Sequence, residues 1–138
     1  EYQPTIFGKL EIPNINVNQF VVSGTDELSL QFGPGHYIGT KLPGSGGNVG
    51  IAGHRTTYGA PFSRLDKVSI VDEIYLTVGL NKYYYVVDDI EVVDANTGDY
   101  VLFNRGDDRL TLTTCHPRYS ARQRLVVSGI LTRIESGN

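Results

Sequence analysis

The chain has 138 residues and one cysteine, with 40% hydrophobic residues, 20% charged residues and a formal net charge of −3. This length is typical of one domain with its own core, so we treat residues 1–138 as a single domain. One cysteine excludes an internal disulfide framework and a zinc site built from several cysteines. No basic face dominates, which argues against a nucleic-acid partner, and no apolar run approaches the ~18 residues of a membrane span.

The first part of the chain predicts two strands and a short helix. Residues 7–12 and 15–22 alternate between apolar and polar side chains, and each run ends at a turn signal. Residues 25–32 are typical of a short helix that Thr25 caps, with acidic residues in its first turn. The sequence GPG at 33–35 ends that helix.

The rest of the chain predicts short strands separated by glycine-rich turns. The predicted elements are a loop at 39–47, strands at 49–52, 70–78, 82–93, 110–115 and 124–134, and a second short helix at 60–65. We therefore expect an all-β fold of seven or eight mostly antiparallel strands, with one or two short helices. Closure into a barrel is the simplest way to remove exposed sheet edges.

The single cysteine lies at the predicted end of a strand. Pro117 has no amide donor, so it marks the end of the run that leads into Cys115. Arg124 opens the next run, and two such runs most simply form an antiparallel hairpin. Because neighbouring strands lie about 4.8 Å apart, we expect Cys115 and Arg124 to face each other. A cation beside a thiol favours the nucleophilic thiolate, although a lone cysteine is more often a buried apolar residue.

Nucleophilic catalysis by a thiolate also needs an acid–base group and a donor for the developing oxyanion. His54 follows a buried strand and a glycine in a polar loop, and His36 lies in the sequence GPGHY at 33–37. Spacing alone does not choose between these two histidines. His116 is poorly placed, because successive side chains of an extended chain point to opposite faces. Arg124 is the candidate oxyanion donor, since a guanidinium has fixed donor geometry and is always charged.

Three acidic residues in one predicted strand raise the question of a calcium site. Alternation puts Asp89 and Glu91 on one face, with Asp88 beside them. Calcium takes six to eight oxygen ligands, so two carboxylates are a sparse set. We predict a solvated face there, with no metal and no cofactor.

Three separated motifs resemble those of the sortases, the cysteine transpeptidases of Gram-positive cell surfaces. The sequence TLTTC at 111–115 is similar to their TLxTC signature, and GHR at 53–55 is similar to their catalytic histidine motif. Arg124 falls where their essential arginine follows the cysteine. The similarity runs from FGKLEIP at 7–13, through GPGHY, to the final strand, so it covers nearly the whole chain.

Two longer stretches are most similar to class E, the housekeeping sortases of high-GC actinobacteria. These stretches are HRTTYGAPF at 54–62 and TCHPRYSARQRL at 114–125. The resemblance implies a sortase catalytic domain with an eight-stranded barrel. It also implies an N-terminal membrane anchor that is missing from this fragment, and a location on the extracellular face of the membrane.

The resemblance assigns roles to five residues. It implies that Cys115, His54 and Arg124 are catalytic, and that Thr114 and Tyr58 contact the substrate. The position of His36 is filled in many sortases without a catalytic use, which favours His54 as the acid–base group.

The implied reaction is cleavage of a C-terminal sorting signal between Thr and Gly through a thioester on Cys115. The partners are then sorting-signal peptides of surface proteins and an amine of a cell-wall precursor or a pilin. Class E enzymes prefer LAxTG over LPxTG, and a tyrosine of the histidine motif contributes to that choice; Tyr58 is the matching position.

Other functions are compatible with the same residues. A pilin-polymerising sortase carries an N-terminal lid with a DP-aromatic motif, and residues 1–20 contain none. In a simple cysteine endopeptidase, water resolves the acyl-enzyme. A catalytically silent β-barrel binding module would have an unreactive Cys115.

Overall fold

Eight strands close into a barrel in the computed structural model, which describes residues 3–117 and 119–137. The strands are β1 (Ile6–Ile12), β2 (Val17–Ser23), β3 (Gly35–His36), β4 (Asn48–Ala52), β5 (Glu73–Val78), β6 (Asn81–Asp94), β7 (Arg109–His116) and β8 (Gln123–Ser136). The predicted all-β barrel is confirmed. Arg118, which follows the cysteine motif in the sequence, lies outside the described residues.

The order of strands around the barrel is β1-β2-β3-β4-β7-β8-β6-β5. Two neighbouring pairs, β2 with β3 and β4 with β7, are parallel, and the other pairs are antiparallel. Parallel strands place their carboxyl ends at the same edge of a sheet. The residues that follow β4 therefore lie beside the end of β7.

Apolar side chains that alternate along the strands fill the barrel interior. The largest fully buried side chains of the core, of which Phe62 and Leu65 come from the segment between β4 and β5, are Tyr85, Phe62, Leu10, Ile12, Ile51, Leu65, Ile74, Leu76, Leu110 and Leu112. A smaller cluster joins Val101 of the 3-10 helix Asp99–Leu102 to Val93 and Val126. Residues of that helix line a cavity together with Thr113, so the helix covers the barrel near the end of the strand that carries Cys115.

The predicted helices differ from the structure in two places. The first helix, α1, is Glu27–Leu30, and its cap is Asp26 rather than Thr25. The Asp26 carboxylate accepts hydrogen bonds from the Ser29 hydroxyl at 2.6 Å and from the Ser29 amide at 3.3 Å. These hydrogen bonds lower the pKa of Asp26, so its carboxylate caps the helix as an anion.

The second predicted helix, at 60–65, is wrong. That stretch forms turns, and a 3-10 helix follows at Leu65–Lys67. The amide of Phe62 donates to the carbonyl of His54 at 3.1 Å, which folds the loop back on itself. Ala60 has a φ of 44°, outside the helical region.

Two strand boundaries also differ from the prediction. The pair Gly35–His36 forms β3 rather than the end of a helix, and Gly35 packs directly against the Gly24 backbone. Strand β5 begins at Glu73 instead of residue 70, because Val71 has a φ of 71° in a turn. Among the described residues, none of the helices has the length and apolar character needed to cross a bilayer.

Candidate active site

The parallel pairing of β4 with β7 places His54 and Cys115 at one edge of the barrel. The β4–β7 ladder ends at the pair Ala52 and Thr113. His54 and Cys115 each lie two positions beyond that pair. Both line a cavity of about 260 Å³, which Arg124 also lines. The structure therefore brings together the three residues that the sequence predicts to be catalytic.

Cys115 and Arg124 are register partners in the antiparallel pair of β7 and β8. The predicted cross-strand placement is confirmed. The thiol of Cys115 is free and half-buried. One terminal nitrogen of Arg124, Nη1, donates to the carbonyls of Ala121 at 3.0 Å and Gln123 at 3.2 Å. These bonds hold the guanidinium at the cavity, and its other nitrogens have no hydrogen-bond partner in the part of the chain that the structure describes.

The imidazole of His54 is half-buried, and its Nε2 has no hydrogen-bond partner among the described residues. Leaving a buried polar atom unpaired costs free energy, and such atoms call for an explanation. The ring packs against Tyr58, with centroids 5.3 Å apart and planes tilted by 48°. Because His54 lines the cavity of about 260 Å³, its imidazole lies beside the space that a ligand would occupy.

The other two histidines do not line this cavity. His36 is buried, and its ring stacks on Phe7 with centroids 4.0 Å apart. Its Nε2 lies within hydrogen-bonding distance of the Thr40 hydroxyl, at 3.0 Å, and of the Lys41 carbonyl, at 3.2 Å. Burial lowers the pKa of His36, so the ring stays neutral and structural. His116 pairs with Gln123 at the end of the β7–β8 ladder.

Thr114 and Tyr58 were predicted to contact substrate. Thr114 is buried and lines the cavity, and its hydroxyl donates to the Gly53 carbonyl at 2.7 Å. That bond joins the residue before Cys115 to the residue before His54. Tyr58 is exposed and touches the His54 ring without lining the cavity. Substrate contact by either residue stays a prediction.

Sequence reasoning missed two hydroxyl-bearing residues of the cavity wall. The hydroxyl groups of Tyr37 and Thr113 lie 2.8 Å apart. Both residues, with Arg124, also line a cavity of about 170 Å³ under the 3-10 helix Asp99–Leu102. The signal for Tyr37 was present, because it ends the GPGHY motif, but nothing in the sequence pairs it with Thr113.

Arg55 was also missed, although it directly follows His54 in the GHR motif. Its side chain is buried, its Nη1 donates to the carbonyl of Cys115 at 2.7 Å, and its Nη2 lies 3.3 Å from Asp66. No local pattern predicts that this guanidinium turns inward toward the cysteine backbone.

A further cavity, of about 300 Å³, lies on another side of the same two reactive residues. Cys115 and His54 line it together with Arg55, Thr56, Thr57, Tyr119, Ser120 and Ala121. The thiol and the imidazole thus lie where two cavities meet. This arrangement allows one ligand to approach the thiol while another lies beside it.

The three acidic residues of β6 have protein partners. Asp88 accepts two hydrogen bonds from Arg109, at 2.7 and 2.8 Å, and this guanidinium lowers the pKa of Asp88. Asp89 lies 3.8 Å from Arg105, and Glu91 accepts from the Tyr100 hydroxyl at 3.0 Å. Within the described ranges, no three candidate metal ligands cluster.

Comparison with known proteins identifies relatives for nearly the whole chain. A family model described as the sortase domain matches residues 10–132. Sortase D of Bacillus subtilis (strain 168) is 32% identical over 110 residues, which are 80% of this chain and 54% of that protein. The chain therefore spans just over half the length of that curated relative.

Solved structures agree with this relationship. Sortase E from Streptomyces avermitilis is 33% identical and superposes with a TM-score of 0.87, over 98% of this chain and 93% of that chain. Sortase E1 from Streptomyces coelicolor, solved with a tripeptide in the active site, is 26% identical with a TM-score of 0.88. That match covers 96% of this chain and 91% of the other.

The three histidines should respond differently to substitution by alanine. General acid–base catalysis is typically worth 10²–10⁴-fold, so His54→Ala should lower kcat/KM for a sorting-signal peptide by about that factor. His36→Ala should keep kcat/KM within about threefold and lower Tm, because its ring fills a buried site. His116→Ala should also keep most of its activity.

Peptide cleavage and thermal melting of the same preparations check this contrast. If a folded His36→Ala variant is inactive while His54→Ala cleaves normally, the assignment of His54 is wrong.

Proposed function

The chain belongs to the sortase family, and we propose that it is a cysteine transpeptidase that acts on C-terminal sorting signals of the LAxTG or LPxTG type. The observation that carries this proposal is that Cys115, His54 and Arg124 line one shared cavity. A nucleophile, an acid–base group and a fixed cation in one cavity are the parts that acyl transfer needs.

The first half-reaction forms an acyl-enzyme. The Cys115 thiolate attacks the carbonyl carbon of the substrate threonine, and a C–S bond forms as the carbonyl becomes an oxyanion. Protonated His54 gives its proton to the leaving glycine nitrogen, and the C–N bond breaks. The product is a thioester on Cys115 with a free amine on the departing peptide.

The second half-reaction transfers the acyl group to an amine. The acceptor nitrogen attacks the thioester carbonyl and loses a proton to His54, and the C–S bond breaks to restore the thiolate. The proposed acceptor is an amine of a cell-wall precursor or a pilin. The cavity of about 300 Å³ beside Cys115 supports transfer, because it gives a second ligand access to the thioester.

Arg124 orients the acyl donor in this proposal. Arg124 lines both the cavity of about 260 Å³ and the cavity of about 170 Å³. Its guanidinium N–H groups can therefore reach the carbonyls of an extended peptide that spans both cavities. Tyr58 is a candidate for the choice between LAxTG and LPxTG. We place the full-length protein at the extracellular face of the membrane, anchored by an N-terminal segment.

The test is incubation with an LAxTG peptide, with and without added amines, followed by mass analysis of the products. We expect cleavage between Thr and Gly, and a new amide product when the amine is present. Cys115→Ala should give neither product while keeping the wild-type Tm.

Two other outcomes would overturn the proposal. Hydrolysis with every amine tested would identify a cysteine endopeptidase. Absence of cleavage together with slow alkylation of Cys115 would identify a catalytically silent binding module.

Arg124→Lys separates the charge of the guanidinium from its geometry. Lysine keeps the charge and loses the planar donor fork. Loss of one oxyanion donor typically costs ~2.7–4 kcal/mol, so we expect kcat/KM to fall by at least about a hundredfold. Arg122 is an exposed residue of the loop just before β8, and Arg122→Lys is the matched control with nearly unchanged activity.

Peptide-cleavage kinetics of the two lysine variants decide between charge and geometry. Turnover near the wild-type value in Arg124→Lys would exclude the geometric role and leave only electrostatics.

A further inference from the structure

Arg55 connects the backbone of the nucleophile to the loop of the acid–base histidine. It directly follows His54 in the chain, and its Nη1 donates to the carbonyl oxygen of Cys115 at 2.7 Å. We infer that Arg55 is a positioning residue that fixes Cys115 relative to His54. This inference rests on the proposed transpeptidase reaction.

The contact matters because the β4–β7 ladder ends before the reactive residues. The last cross-links of that ladder are the Gly53 amide to the Thr113 carbonyl, at 3.1 Å, and the Thr114 hydroxyl to the Gly53 carbonyl, at 2.7 Å. Both bonds lie on the barrel side of His54 and Cys115. Among hydrogen bonds between described residues, only the one from Arg55 joins the loop that follows Gly53 to the backbone of Cys115.

The other end of the guanidinium is anchored to the core. Nη2 of Arg55 lies 3.3 Å from the carboxylate of Asp66. Asp66 belongs to the 3-10 helix Leu65–Lys67, whose first residue is fully buried in the barrel core. The cysteine backbone is thereby linked through Arg55 and Asp66 to a short helix that Leu65 anchors in the barrel core.

Burial and shape explain why arginine suits this position. The side chain is 4% exposed, and a buried cation is tolerated only when it is paired and hydrogen-bonded. Two separate nitrogens serve Cys115 and Asp66. Lysine has one nitrogen, so it keeps the charge but does not bridge the two groups as the planar fork does.

Loss of the bridge should affect the chemical step more than substrate binding. Arg55 lines the cavity of about 300 Å³ that we assign to the acceptor, but not the cavity of about 260 Å³ in which we place the peptide. A displacement of about 1 Å between reacting groups can cost about 10²-fold in rate. The β7–β8 ladder still holds Cys115 without the bridge, so its loss loosens the segment of His54 and Arg55 relative to Cys115. A variant without the bridge should therefore lower kcat and leave KM nearly unchanged.

The experiment compares Arg55→Lys, Asp66→Asn and a control in the peptide-cleavage assay. We expect kcat to fall at least tenfold in Arg55→Lys and about threefold in Asp66→Asn, with KM within twofold in both. Arg64 is an exposed arginine of the same segment that bonds the Ile15 carbonyl away from this cavity. Arg64→Lys should leave kcat within twofold.

Two measurements separate positioning from simple stability. Melting curves and circular dichroism give the folded fraction of each variant. Alkylation of Cys115 by iodoacetamide at pH 7 needs no peptide, and we expect it to slow at least threefold in Arg55→Lys.

Each alternative outcome identifies what has failed. A wild-type protein that does not cleave the peptide contradicts the proposed function, and the alkylation rates then decide the role of Arg55 alone. The positioning role is wrong if folded Arg55→Lys has wild-type kcat and a wild-type alkylation rate. It is also wrong if the variant changes only KM, or if its loss of activity only follows its folded fraction.

Discussion

The parallel pairing of β4 with β7 is the constraint on which the site depends. Antiparallel strands can be joined by a short turn, but a parallel neighbour needs a long crossover. Here the crossover includes β5 and β6, and it returns the chain so that both strands end at one edge. His54 and Cys115, far apart in the sequence, become neighbours for that reason. β8 then runs back beside β7 and adds Arg124.

Buried polar side chains at the opposite end of the same strands fix this register. The Thr111 hydroxyl donates to Asn48 at 2.8 Å, and the Asn48 amide group donates to the Val101 carbonyl at 2.9 Å. Arg109 donates to Ser128 on β8 at 2.8 Å. A slip of one residue would turn these groups to the other face and leave them unpaired. The network therefore maintains the alignment that places the reactive residues.

The sequence predicted the barrel, the family and the pairing of Cys115 with Arg124, and all three are confirmed. Strong alternation and turn signals identify long strands, and a proline near the end of β7 marks where the ladder stops. The two-residue strand β3 has too few side chains to show a pattern. The predicted helices were wrong where a particular hydrogen bond determines the local structure. The Asp26 carboxylate, not Thr25, caps the first helix, and the loop before Leu65 bonds to the His54 carbonyl instead of forming a helix.

Residues of the candidate site could be predicted from the sequence only where they belong to a recognisable family motif. His54 could not be separated from His36 by spacing, and the structure separates them by burial and by the cavity that His54 lines. Arg55 contacts Cys115, and Tyr37 contacts Thr113. Both are tertiary contacts between distant segments, so no local sequence pattern predicts them. The catalytic roles themselves remain predictions.

Intact-mass analysis of the protein during reaction with an LAxTG peptide tests whether Cys115 forms the acyl-enzyme. We expect a transient adduct equal to the peptide up to its threonine, held on Cys115 as a thioester and released by hydroxylamine or an acceptor amine. Cleavage without any such adduct under rapid quenching, or an adduct on a residue other than Cys115, would contradict it.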